Sequence, residues 1–196
     1  MEFVKKVGLA AIAVCVSLGA SAISAEESWT LDNEGSSLSF VTTKLDHVPE
    51  AMTFKQLSGA LEADGSANLE IAVDSLDALV EIRDGRMKEH LFKMVDFPSI
   101  DVSAQIDMGS LAAIASGDTA AMTIETTLTL LGTEHQVPAD VLVTKLADGL
   151  IVSTQKPVLL NAKPLGLAEG IAKLAELAGG IQISEAVPVS FSLRFD

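Results

Sequence analysis

The chain has 196 residues, and 27 acidic side chains against 13 lysines and arginines leave it at −14 near neutral pH. A surface this negative repels phosphate backbones and anionic head groups, which excludes nucleic-acid binding as a main role. With no tyrosine and a single cysteine, phenolic acid–base chemistry, an internal disulfide and a cysteine metal site are excluded as well.

Residues 1–25, MEFVKKVGLAAIAVCVSLGASAISA, set Lys5 and Lys6 before an apolar run from Val7 to about Val16 and end in small residues. That is the pattern of a secretory signal peptide, too short and wrongly flanked to span a membrane. Cleavage is expected after Ala22 or Ala25, and Cys15 leaves with the leader. The remainder, 26–196, suits one domain with a core that holds without staples. It has no second apolar run long enough for a transmembrane segment. Export implies a location outside the cytoplasm, periplasmic or secreted, and the periplasm is the expected one.

After the leader the dominant pattern is alternation. Trp29–Asp32 opens the series, followed by Leu38 and Phe40, then Leu57–Leu61, then Leu69, Ile71 and Val73. Asp64-Gly65 between the last two is a hairpin-turn signal. The period breaks in EIRDGRMKEHLF (81–92), where Arg83, Arg86 and Lys88, with Lys93 just beyond, crowd an otherwise cation-poor chain. Met87, Leu91 and Met94 fall at helical spacing, Asp84 is placed as an N-cap, and Asp84 to Lys88 and Glu89 to Lys93 are acid-before-base pairs four apart. The spacing predicts a short helix that neutralises its own lysines and turns an apolar face toward a barrel.

Ile100 to Met108 alternates cleanly, and GSLAAIASGDTAAM (109–122) reads as a longer loop. Ile124, Leu128 and Leu130 resume the period. Val141–Val143 and Leu150–Val152 flank a second turn signal, Asp148-Gly149, and Val158–Leu160 follows. Leu167, Ile171, Leu174, Ala175 and Ala178 predict one amphipathic helix over 165–178, stopped by Gly179-Gly180. Val187, Val189, Phe191, Leu193 and Phe195 make the last strand. Nine or ten short, one-sided strands argue an all-β antiparallel sheet that curls into a barrel or packs as a sandwich, with one or two short helices.

Catalytic patterns are sparse. His47, His90 and His135 stand far apart in sequence and form neither HExxH nor an i, i+4 pair, so no metal ligand set is assigned. There is no Gly-x-Ser-x-Gly elbow and no phosphate loop after a strand, so no catalytic residue is assigned either. What the sequence supplies is apolar side chains. A closed eight-stranded barrel is wide enough to be filled by them or to hold one small ligand, and alternation looks the same in both cases.

The order of motifs resembles the YceI-like family, bacterial polyisoprenoid-binding proteins with a lipocalin-like barrel. It runs through WTLDNEGSSLSF (29–40), FKQLSGAL (54–61), VDSLDALVEIRDGRMKEHLF (73–92) with its Arg83-Asp84 pair, FPSIDVSA (97–104), LTLLGTEHQV (128–137) and VPVSFSLRF (187–195). Leu131 stands where the family's hairpin usually has His, and NAKPLGL (161–167) lacks an Arg that many members carry, which marks a divergent branch. The resemblance implies a periplasmic, lipocalin-like antiparallel barrel of about eight strands over 26–196, non-enzymatic and without a cofactor. Its interior would take an apolar lipid, an isoprenoid such as a quinone or polyprenyl chain. The residues expected to line that interior or its entrance are Leu38, Phe40, Ile71, Met87, Leu91, Phe92, Val102, Ile124, Leu128, Leu130, Phe191 and Leu193. Arg83 and Asp84 are expected as a structural motif, with Arg83 bonding carboxylates or carbonyls or meeting a ligand head group. The alternative is a stress-related interaction protein whose barrel is filled.

Overall fold

The computed structural model describes residues 28–196. The leader read in residues 1–25, with Cys15, lies outside them. The alternating segments form eleven strands: β1 (Trp29–Lys44), β2 (Val48–Phe54), β3 (Leu57–Leu61), β4 (Ser66–Ala72), β5 (Leu76–Asp77), β6 (Ser99–Gln105), β7 (Thr119–Leu130), β8 (Thr133–Lys145), β9 (Leu150–Thr154), β10 (Val158–Asn161) and β11 (Ala186–Phe195). Helices are α1 (Glu81–Arg86), which runs into a π-helical turn at Met87–Leu91, α2 (Met108–Ala112) and α3 (Ala168–Leu177).

All pairings are antiparallel. The circuit β1-β3-β4-β6-β7-β8-β9-β11 closes because β11 pairs back onto β1, giving an eight-stranded barrel with β2, β5 and β10 as extra strands. Closure leaves the ring without a free edge. The segments Trp29–Asp32 and Leu38–Phe40, expected as separate strands, are one strand of 16 residues with a register shift between Asp32 and Ser37. That shift lets β1 change neighbour: Trp29 and Thr30 pair with β3, whereas Leu38–Lys44 pair with β2. β11 does the same, pairing β9 through Ser192–Phe195 and β10 through Ala186–Val189. Thus β2 and β10 lengthen the wall at one end, here called upper.

The lower end carries both turns that the sequence marked. Asp64-Gly65 joins β3 to β4, and Asp148-Gly149 leads into β9. Gly149 is needed for proximity: a Cβ there would lie 2.0 Å from the Phe195 carbonyl oxygen. The stretch expected as a loop at 109–122 instead contains most of α2 and the first residues of β7. Asp107 caps α2, its carboxylate accepting from the Gly109 N–H at 3.0 Å and the Ser110 hydroxyl at 2.6 Å. Leu111 anchors it in the core.

The upper end carries α1, the π turn and α3. Helix α3 ends as its sequence demands: the Gly179 N–H bonds the Glu176 carbonyl and the Gly180 N–H the Ala175 carbonyl, a Schellman closure.

Candidate functional site

The site begins with two inward rows. Side chains alternate across a strand, so Leu38, Phe40, Thr42 and Lys44 of β1 share one face, and Phe54, Met52, Glu50 and Val48 of β2 lie opposite them in register. The β1 row turns from apolar to polar toward its upper end, and in the β2 row the one polar member is Glu50, opposite Thr42. Phe40 stacks on Phe54 with centroids 5.6 Å apart, and Phe54 meets Phe92 edge to face at 5.7 Å, which docks the π turn onto this wall.

Inside the ring lies a cavity of about 420 Å³. Close-packed interiors leave few voids larger than a water molecule, and a cavity of about 150 Å³ already takes a small apolar guest. The barrel is therefore hollow. Its wall is aliphatic and aromatic almost throughout, from Leu61, Ala67 and Phe195 below to Met87, Leu91, Leu167 and Ile171 above. Val102, Ile124 and Phe191 point inward yet remain only partly buried, because the space in front of them holds no side chain. Among the described residues the charged side chains on the wall are Lys44, Glu50, Arg83 and Arg86.

These four sit where α1 crosses the top of β1 and β2. Lys44 Nζ donates to Glu50 Oε1 at 2.9 Å and Arg83 Nη1 to Glu50 Oε2 at 2.5 Å. The hydrogen bond from Lys44, then the positive charge of Arg83, holds the Glu50 carboxyl below the usual carboxylate range despite partial burial. Arg86 Nη1 donates to the Leu177 carbonyl at 3.1 Å, placing a cation at the negative end of α3. There the two helices touch: a Cβ on Gly170 would lie 2.7 Å from the His90 carbonyl oxygen and 2.8 Å from Leu91 Cα.

The Arg83-Asp84 pair clamps one peptide. Arg83 Nη2 donates to the Ala78 carbonyl, and Asp84 Oδ1 accepts from the Ala78 N–H at 2.7 Å. Ala78 is fully buried, so both polar groups of its backbone need partners, and neighbouring side chains of α1 supply them. Asp84 is thus not the N-cap expected from sequence: Val80 occupies that position, without a side-chain bond, and Asp84 lies inside the helix. The expected i, i+4 pairs do not form either. Lys88 turns to the carboxylate and carbonyl of Asp74, and Glu89 lies 3.9 Å from His90. The reason is the π turn, where the Phe92 N–H reaches back five residues to the Met87 carbonyl and shifts the angular spacing on which such pairs depend. The same turn buries Met87, Leu91 and Phe92 together against the cavity.

A model of the YceI-like domain matches residues 29–195. The chain belongs to the YceI-like family. Among solved structures, a polyisoprenoid binding domain from Saccharophagus degradans, implicated in plant cell wall breakdown, is similar over 86% of this chain and 97% of its own, at 32% identity and a TM-score of 0.83. Burkholderia cenocepacia BcnA aligns over 84% of this chain and 98% of its own, at 19% identity and a TM-score of 0.64, a likeness of fold. Comparison with curated proteins found no match.

In this YceI-like barrel, all twelve residues expected from sequence at the interior or entrance, Leu38 through Leu193, lie on the cavity wall, as does Arg83; Asp84 does not. What the sequence reading missed is β2, with Glu50, Met52 and Phe54, and the inward direction of Thr42 and Lys44. Alternation was present in Val48, Met52 and Phe54, but Pro49 and Glu50 interrupt it. The three histidines fall on three different elements: His47 in the β1–β2 turn, His90 in the π turn and His135 on β8. Among the described residues no three His, Cys, Asp or Glu side chains form a candidate metal site, and no helix is long and apolar enough to cross a membrane.

Proposed function

We propose that this protein binds the apolar chain of an isoprenoid-type lipid, such as a quinone tail or a polyprenyl chain, inside its barrel, and so carries or sequesters it in the periplasm. The observation that carries this reading is the hollow, almost wholly apolar interior of about 420 Å³. A chain entering it exchanges water for aliphatic and aromatic wall, at about 0.8 kcal/mol per buried methylene, and needs few polar contacts. The relative from Saccharophagus degradans, a polyisoprenoid binding domain, supports the choice of ligand class. The leader pattern of residues 1–25 supports the location. The twelve wall residues are the proposed contacts, with Met87, Leu91 and Phe92 at the helical end. A filled barrel acting only through its surface fits poorly, because the interior is not filled. The reading assigns no covalent step and no resident cofactor to the chain.

Native mass spectrometry of protein purified from its own host, followed by solvent extraction, tests it. One hydrocarbon-rich molecule per chain is the expected result. Repeated recovery of ligand-free protein that takes up no added isoprenoid would remove the reading.

A further inference from the structure

The cavity wall and the whole chain carry opposite charge. The protein stands at −14, yet its cavity is bordered by three cations, Lys44, Arg83 and Arg86, and one anion, Glu50. Glu50 is shared: one carboxylate oxygen accepts from Lys44 and the other from Arg83, so both are occupied and only one of the two cations is neutralised. The Arg86 guanidinium donates to the Leu177 carbonyl at the C-terminus of α3, which offers the fractional negative charge of a helix end and not a full anion. Arg83 Nε is buried without a hydrogen-bond partner among the described residues. The net positive charge is partly withdrawn from water, with side-chain exposures of 32% for Lys44 and 23% for Arg83.

Half-buried cations in excess of their anions raise the local potential, and the desolvated surroundings strengthen their attraction for a negative group. A head group with neutral carbonyls would need a donor or two but would leave the surplus charge unmatched. A carboxylate or phosphate would match it with charge-assisted hydrogen bonds, for which planar guanidinium groups are suited. The position is also that of a head group: the inward row of β1 passes from Leu38 and Phe40, against the apolar space, to Thr42 and Lys44 at its rim.

From this we infer that the preferred ligand is an acidic amphiphile, an apolar chain ending in a carboxylate or phosphate that is received by Lys44, Arg83 and Arg86. The inference rests on the lipid-binding reading above and specifies the head group that reading leaves open. Because the rest of the surface repels anions, the preference is local and weakens with salt.

Three ligands that share one isoprenoid chain and end in an alcohol, a carboxylic acid or a monophosphate test it, each displacing a fluorescent apolar probe from the delipidated full-length protein. The expected result is that the two acids bind at least about tenfold more tightly than the alcohol at low salt. The ratio should shrink as salt is raised, and shrink toward unity in Lys44→Met/Arg86→Met. Lys156→Met, which removes an exposed lysine paired with Asp140 outside the cavity, should keep the full ratio. Greater tightness of the phosphate than of the carboxylate, or the reverse, tells which acid is the better fit and supports the inference in either case. Equal binding of all three ligands, unaffected by salt, overturns the inference and leaves lipid binding standing. Binding of none overturns both. The salt series on the unaltered protein decides the matter even if the double variant does not fold.

Discussion

The two ends of the barrel are built from the same kind of strand and closed in opposite ways. Below, Trp29, Leu111 and Val143 are buried and none borders the cavity; Lys145 covers the Trp29 ring at 4.3 Å, and the Asp148-Gly149 turn tucks against the Phe195 carbonyl. That end is packed shut. Above, the closing elements are helices laid across the opening, α1 joined to β2 through Glu50–Arg83 and to the segment after β5 through the Ala78 clamp, and the two helices joined to each other through the Arg86–Leu177 bond. The lower end is held by close-packed volume, the upper by the apolar contacts of Met87, Leu91 and Phe92 together with a small number of directional bonds, all of it bordering the cavity. Opening the upper end would expose Met87, Leu91 and Phe92 but leave the strands of the ring paired, whereas opening the lower plug would break the closed barrel's own packing.

Equal deletions at the two places should therefore cost different amounts. Leu111→Ala removes a side chain that is 3% exposed and does not border the cavity, and should destabilise by about 2–5 kcal/mol. Ile124→Ala removes a similar volume beside existing space and should fall at or below the bottom of that range, because its inner side has few partners to lose. Urea unfolding of both variants makes the comparison, and equal losses would mean that the interior is as well packed as the plug.

At the upper end, Gly170→Ala drives a methyl against His90 and Leu91 backbone atoms and should cost about 1–3 kcal/mol. Its distinctive sign would be faster hydrogen exchange in α1 and α3 with the barrel strands unchanged. Asp84→Ala leaves the buried Ala78 N–H without its acceptor and should cost a similar amount or somewhat less, about 1–3 kcal/mol. Protease cleavage confined to 78–93 is the matching readout.

The smallest expected effect is that of pH. Glu50 is held below its ordinary value by Lys44 and Arg83, and Asp77 and Asp140 by hydrogen bonds from Lys55 and Lys156 with further help from neighbouring donors. A depressed carboxyl pKa means that the unfolded chain binds protons first as the medium is acidified. Its contribution is complete above the ordinary carboxylate range and is lost as pH falls through the folded value. Thermal stability should decline from about pH 4.5 downward, and Glu50→Gln should show a shallower decline from a lower starting point.

How much of this was legible in the sequence follows the same division. Strand alternation and the nine of the twelve apolar positions that lie on strands were readable because period 2 assigns a face without reference to distant partners, whereas Met87 and Leu91 were read from helical spacing and Phe92 from the resemblance. The closure of the ring through β11 onto β1 came through resemblance, since alternation alone also fits a sandwich. Whether the inside was packed or hollow was not legible, because Val102 next to space and Val102 next to a neighbour give the same pattern. The upper rim was the least readable part. Glu50 faces inward against its residue type, and the π turn moved Lys88 from Asp84 to Asp74. Both outcomes depend on tertiary partners more than 10 residues away.

On this account the barrel is a hollow container for an apolar chain. Calorimetric titration of a long isoprenoid alcohol into delipidated protein, at several temperatures and alongside Val102→Trp, tests it most directly. The expected result is one-to-one binding with a negative heat-capacity change, lost when the indole fills the space in front of residue 102. No binding, or undiminished binding by Val102→Trp, would contradict it.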